Sequence, residues 1–268
     1  MPKNSKAFDT VLSKGFFTFL YTSVSAAECY FEYISFRHYV YFLKPMAIIL
    51  LMLHFISTLG RIESRFKNLI LGALMFSLLG DVALMLVDFV KDLFLLGIAF
   101  FLIAHLFFIG AFAHNIRSSP SKASFFSLFT TFSLSVIPAG MIYKALYDYF
   151  KDSTGDLFVP VFVYFGVITL MGIVASFRHS HTTGYSYWFI LLGALIFACS
   201  DLTIGLSKFK GYSDDWMGIV TMATYFLAQY MIVEGSLHHI FKIEGPKEDK
   251  KAKDVKETTR KESKKARQ

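Results

Sequence analysis

The chain is poor in the features that mark a soluble or secreted protein. It has two cysteines in 268 residues, Cys29 and Cys199, and both lie in apolar stretches. That excludes a disulfide framework and a cysteine-based zinc site, and both read as small core residues. Proline is scarce, with six in all. Short strands of alternating apolar and polar residues, which a membrane β-barrel would show, are lacking. The first ten residues are polar, and no short apolar stretch ends in a small-residue cleavage site, so no removable signal peptide is expected. There is no Gly-x-Ser-x-Gly elbow and no His-Glu-x-x-His helix, which argues against a serine hydrolase or a zincin. His179, His181, His238 and His239 fall in loops or at span edges, so no metal site is expected.

What is present is long apolar sequence. The chain is 54% hydrophobic and 18% aromatic. A helix needs about 20 apolar residues to cross ~30 Å of hydrocarbon, and such runs recur. The reading is all-α: a polytopic transmembrane helical bundle of about eight spans, near 16–34, 39–59, 68–90, 93–113, 124–143, 157–177, 187–206 and 216–237. The first is the weakest, since Glu28 interrupts it. This divides the chain into an N-terminal stretch (1–15), a membrane domain (16–241) and a charged tail (242–268) too polar to fold alone. The net charge of +7 comes largely from the tail and short loops, so it points to anionic lipid and topology and not to nucleic acid. Basic residues gather at the N-terminus, in the even-numbered loops (Arg61, Arg65, Lys67, Arg117, Lys122, Arg178) and in the tail. The positive-inside rule then places both termini in the cytoplasm.

Two acids stand deep in this apolar sequence. Asp81 closes Gly72-Ala-Leu-Met-Phe-Ser-Leu-Leu-Gly-Asp81, and Asp201 closes Gly193-Ala-Leu-Ile-Phe-Ala-Cys-Ser-Asp201. A carboxylate at the bilayer centre costs roughly 2.5–3.5 kcal/mol, so an intramembrane acid is a functional hypothesis by default. The likeness of the two segments, four spans apart, raises a four-plus-four internal repeat. Each acid falls roughly 20 Å from the cytoplasmic end of its helix at 1.5 Å per residue. Ser77 lies one turn from Asp81, Ser200 adjoins Asp201, and Tyr225 and Gln229 share a face of the last span. His105 sits at the middle of the fourth span, while Lys44 opens the second beside Pro45. Asp88 lies nearer a helix end, where a carboxylate reaches headgroups. Polar groups at one depth should converge on the bundle interior, which gives a single polar cavity with Asp81 and Asp201 as its acid/base pair.

Phe76-Ser77-x-x-Gly80-Asp81, the Phe100–His105 stretch, Gly193-Ala194-x-x-Phe197-x-x-Ser200-Asp201, Lys208-Phe209 and Thr224-Tyr225-x-x-Ala228-Gln229 together resemble the lysoplasmalogenase family, the YhhN-like eight-span membrane proteins. The resemblance runs from about Lys44 to Gln229 and departs in the charged tail and the Asp148–Asp156 loop. It implies hydrolysis of the vinyl ether of lysoplasmalogens to a fatty aldehyde and glycerophosphoethanolamine or -choline. It further implies an endoplasmic reticulum membrane, a lysophospholipid in the bilayer as the partner, and no cofactor.

The chemistry and the acids suit each other. Protonating the β-carbon of an enol ether leaves an oxocarbenium ion, so the site needs one acid that still carries its proton and one carboxylate, as in glycosidases. On this reading Asp81 and Asp201 are catalytic, in an order that the sequence leaves open. Ser77, His105, Ser200, Tyr225 and Gln229 orient substrate or water, and Lys44 faces the phosphate. A transporter or channel with a midplane cavity and a non-catalytic scaffold are the alternatives. Oligomeric state is not encoded in any pattern of the chain.

Overall fold

The computed structural model describes residues 3–87, 89–119, 123–211 and 215–244. Asp88 and the tail beyond residue 244 lie outside the described residues. Eight helices follow one another: α1 (Lys3–Tyr33), α2 (Arg37–Leu59), α3 (Arg65–Met85), α4 (Leu93–Ser118), α5 (Phe125–Phe150), α6 (Phe158–Ser176), α7 (Gly184–Lys210) and α8 (Asp215–His239). Short 3₁₀ turns flank α6, at Gly155–Leu157 and Phe177–Ser180, and a π-helical turn, Ile240–Glu244, continues α8. No strand occurs among the described residues. The expected helical bundle is therefore the observed fold.

Seven of the described helices, α2 to α8, are long and apolar enough to cross a membrane. The exception is α1, the segment that Glu28 interrupts. It is nonetheless helical from Lys3 and packs on α2 and α8, burying Tyr21, Val24 and Glu28. The expected end of the third span moves from about residue 90 to Met85. Helix starts carry local signals: Ser64, Ser124 and Thr183 each accept a backbone N–H at the head of α3, α5 and α7, satisfying a donor that has no partner within the helix. Gly211, at φ 69°, ends α7 in the left-handed conformation that glycine adopts without strain.

Two helix pairs form the most extensive contacts, α3 with α4 and α7 with α8. Small residues let them approach, as in other membrane bundles where packing replaces the hydrophobic drive. A Cβ on Gly80 would fall 2.7 Å from the Phe101 ring, and one on Gly193 would fall 2.8 Å from Ile232 and 3.1 Å from the Ala228 carbonyl oxygen. The two pairs meet along a core that includes Phe101, Phe108, Phe197 and Tyr225. By contrast α5 buries only Phe150 and leaves Phe125, Phe126, Leu134 and Met141 exposed, the pattern of a helix on the lipid side of the bundle.

Candidate active site

Asp81 lies sixteen residues into α3 and Asp201 seventeen into α7. At 1.5 Å per residue the two are about 25 Å from the starts of their parallel helices. Both are buried, with 3% and 4% of their surface exposed. Each is met by a ring from the other helix pair. The Tyr225 hydroxyl, on α8, donates to Asp81 Oδ2 at 2.7 Å. His105, on α4, brings Nε2 to 3.3 Å from Asp201 Oδ2. The spacing repeats: His105 follows Asp81 by 24 residues (105 − 81), and Tyr225 follows Asp201 by 24 (225 − 201). The arrangement is a reciprocal clasp, in which each pair supplies the ring for its neighbour's acid.

The hydrogen bonds at His105 limit where its protons sit. Nδ1 lies 2.6 Å from the Phe101 carbonyl oxygen. A carbonyl only accepts, so Nδ1 carries a proton and donates it. Nε2 then faces Asp201 either as a lone pair towards a protonated carboxyl or as an N–H towards a carboxylate. In both cases one exchangeable proton belongs to the pair, although at 3.3 Å the approach is not an aligned hydrogen bond, and neither Nε2 nor Oδ2 makes an aligned hydrogen bond among the described residues. Tyr164, on α6, lies within hydrogen-bonding reach of Asp201, with its ring against His105 at 5.6 Å.

Around Asp81 the environment is different. Lys44 and Glu28 lie close enough to act on it electrostatically, as does Asp201. Lys44 Nζ stands 3.6 Å from Glu28 Oε1, and Glu28 is fully buried. The Phe101 and Phe197 rings border the acid clusters: Phe197 is 5.5 Å from the Tyr225 ring and 4.8 Å from His105, and Phe101 is 5.9 Å from Tyr225. The two carboxyls thus share one electrostatic neighbourhood with an aromatic lining.

Ser77 and Gln229 are both fully buried. Neither the Ser77 hydroxyl nor the Gln229 amide makes a well-aligned hydrogen bond, although Gln229 is within reach of the Tyr225 hydroxyl. Buried polar atoms left unsatisfied are uncommon, and each calls for a reason such as a water partner or a functional role. Ser200 points elsewhere: its hydroxyl donates to the Thr221 carbonyl at 2.9 Å, in the seam between α7 and α8. Of the residues singled out from the sequence, Lys44, Tyr225 and Gln229 gather around Asp81, one turn from Ser77 on the same helix, and His105 meets Asp201.

A narrow cleft between α4, α6 and α7 leads to Asp201. Phe94, Ile98, Tyr164, Gly205 and Phe209 help to line it, and Asp201 and Tyr164 are its polar members. Its free space of about 30 Å³ holds one or two waters.

Two features escaped sequence reasoning. Tyr164 is one of 14 tyrosines, most of them unremarked in a membrane chain, and only folding brings it to Asp201. The second is a pair distant from both acids, His54 Nε2 on α2 at 3.1 Å from Glu234 Oε1 on α8. Its signal was Glu234 itself, an acid near the end of the last span. At the ends of the helices opposite the acids' near mouth, Arg178 is fully buried and donates to Asn115 at 2.7 Å and Ser186 at 3.0 Å, which ties α4 to the start of α7.

The YhhN family profile matches residues 39–236. The chain belongs to the YhhN family. The match takes in α2 to most of α8, hence both acids, His105, Tyr164, Tyr225 and Lys44, and leaves out Glu28 on α1. This YhhN protein is also 31% identical over 162 residues to the lysoplasmalogenase TMEM86A of Bos taurus, an alignment covering 59% of this chain and 61% of the bovine protein. The chain thus spans about three fifths of that curated relative's length. No solved structure matches. Its seven long apolar helices and its membrane relative make it an integral membrane protein.

Proposed function

We propose that this YhhN protein hydrolyses the vinyl ether bond of lysoplasmalogens, with Asp201 and His105 as the proton-bearing pair and Asp81 as the working carboxylate. One observation carries the assignment. Each buried acid is met by a ring, but only Asp201 faces an imidazole, with Nε2 3.3 Å from Oδ2 and Nδ1 fixed on the Phe101 carbonyl, so that a proton can pass between them, whereas Asp81 accepts from Tyr225 and lies near the Lys44 ammonium. The bovine relative's name describes the same activity.

The reaction balances with these groups and one water. The Asp201–His105 pair delivers its proton to the β-carbon, the π electrons form the new C–H bond, and an oxocarbenium ion remains. Asp81 takes a proton from water as its oxygen bonds to the cationic carbon, which gives a hemiacetal. Asp81 then returns that proton to the glycerol oxygen as the C–O bond breaks, while the hemiacetal hydroxyl gives its proton back to the Asp201–His105 pair. Aldehyde and glycerophospho-base leave, and both acids regain their starting states. The division of roles follows the two-carboxyl logic of glycosidases. Tyr225 and Gln229 orient Asp81 and the water, and the Phe101 and Phe197 faces flank the developing cation.

The basic even-numbered loops support cytoplasmic termini, and the family resemblance supports the endoplasmic reticulum as the site of action. The test is aldehyde release by purified protein from vinyl ether, saturated ether and ester lysolipids. Only the vinyl ether should be cleaved. Asp81→Asn and Asp201→Asn should each lose at least ~10²-fold in kcat, and the double variant should be little worse than the poorer single one, as for residues that act as a unit. Folded single variants that keep more than half the turnover, or ester cleavage at an equal rate, overturn the assignment.

A further inference from the structure

Lys44, the basic residue that the sequence offers for the substrate's phosphate, is already engaged. It is paired with Glu28 and only 12% exposed. Another lysine is better placed. Lys208 follows Asp201 by seven residues on α7, two turns along the same helical face, which is about 10.5 Å at 1.5 Å per residue. The face between them is the wall of the cleft: Asp201, Ile204, Gly205 and Phe209 all line it. Lys208 is exposed, and its Nζ lies 4.5 Å from the centroid of Phe94, itself at the cleft. No carboxylate pairs with it among the described residues. The cleft therefore has an acid at its depth, apolar walls, and at its rim an ammonium that pairs with no carboxylate among the described residues.

That spacing fits one class of molecule. In a lysoplasmalogen about seven bonds separate the β-carbon of the vinyl ether from phosphorus, a reach of roughly 9 Å when extended. The reach matches the rise from Asp201 to Lys208.

We propose that Lys208 anchors the phosphodiester of the lysolipid substrate and so sets the register at which the vinyl ether meets Asp201. The inference rests on the hydrolase reading for the identity of the reacting bond. It rests on the cleft for the place. The substrate is then drawn from the leaflet at the C-terminal end of α7, which is the lumenal leaflet with both termini cytoplasmic. Because the closed cleft holds only a water or two, the Phe94 and Phe209 rings, 6.3 Å apart edge to face, turn aside as the lipid seats. Lys208 trades its aromatic contact for phosphate in the same movement.

The experiment compares two vinyl ethers, 1-alkenyl-glycerophosphoethanolamine and the phosphate-free 1-alkenylglycerol, on wild type, Lys208→Gln, Lys208→Arg and Lys210→Gln. Lys210 is the neighbouring control, since its Nζ lies over the ring of Tyr149 at 4.3 Å, which does not line the cleft, whereas Lys208 lies over Phe94, which does. Binding of the uncleavable saturated-ether forms of both lipids is measured in parallel. Lys208→Gln should raise KM and weaken binding about tenfold for the phospholipid, the lower end for a charge-assisted hydrogen bond, with kcat changed less than twofold. It should leave the phosphate-free lipid unaffected, and Lys208→Arg should restore most of the loss. Equal effects on both lipids would mean that Lys208 merely meets bilayer headgroups, and no effect on either would mean that it meets nothing relevant; both overturn the anchor. A wild type that cleaves neither lipid yet binds the phosphorylated one through Lys208 would sink the hydrolase reading and keep the anchor.

Discussion

Tyr225→Phe is the sharpest perturbation that the geometry allows. It removes one oxygen and keeps the ring, whose contacts with Phe101, Phe197 and Phe226 at 5.5–5.9 Å need no hydroxyl. What is lost is the 2.7 Å bond to Asp81. A hydrogen bond to a charged group is worth about 1.5–3 kcal/mol. If that bond holds the Asp81 carboxylate in line with the attacking water, its loss is felt in the transition state. At about 1.4 kcal/mol per factor of ten, kcat should fall roughly ten- to hundredfold. A matched control lies one helix away. Tyr21 is equally buried and donates to the Phe226 carbonyl at 2.9 Å, a bond between α1 and α8 that touches neither acid. Tyr21→Phe should cost about 0.5–1.5 kcal/mol of stability and leave kcat within twofold. Both variants are measured for aldehyde release and for melting in detergent. If Tyr225→Phe loses no more kcat than Tyr21→Phe at a similar drop in melting temperature, the Tyr225–Asp81 bond is a structural tie and Asp81 needs another role.

Three further outcomes are expected. His105→Gln keeps a polar side chain of similar size but cannot exchange a proton, so kcat should fall at least ~10²-fold with the fold intact by melting; a rate within tenfold of wild type makes the imidazole a spacer. Gly193→Val drives a side chain into Ile232 and the Ala228 carbonyl and should destabilise by about 1–3 kcal/mol, whereas Gly184→Ala, with nothing within 4 Å of the new Cβ, should melt like wild type. Glycosylation acceptors added at both termini should stay unmodified while one in the Asp148–Asp156 loop is modified, and glycosylation of either terminus refutes the orientation.

What was legible in the sequence was what apolar surroundings make conspicuous. Asp81 and Asp201 stand out because a carboxylate in hydrocarbon is costly, and Tyr225 and Gln229 could be put on one face because helical spacing is local. The clasp was not legible. Tyr225 reaches an acid 144 residues away, and nothing at either position encodes that crossing. Tyr164 was hidden for the same reason, among many other tyrosines. Lys44 could be read as a free cation because its neutralising partner, Glu28, lies on a helix whose polar content made it the weakest span. Ser200 adjoins Asp201 in sequence, yet successive residues on a helix point about 100° apart, and its hydroxyl serves the α7–α8 seam. Local pattern located the acids, and tertiary contact chose their partners.

The reciprocal clasp also bears on how the chain is made. During synthesis α3 and α4 reach the bilayer before α7 and α8 exist, so Asp81 and His105 wait there without their partners. Each half then carries an insertion penalty, of the order of 2.5–3.5 kcal/mol for an aspartate at the centre, that only the other half relieves. Lipid supplies no hydrophobic drive for helices to associate, so these crossed polar pairs help to draw the two halves together. A chain that stops before α7 would keep Asp81 stranded in hydrocarbon, and neither acid–ring pair could form in it.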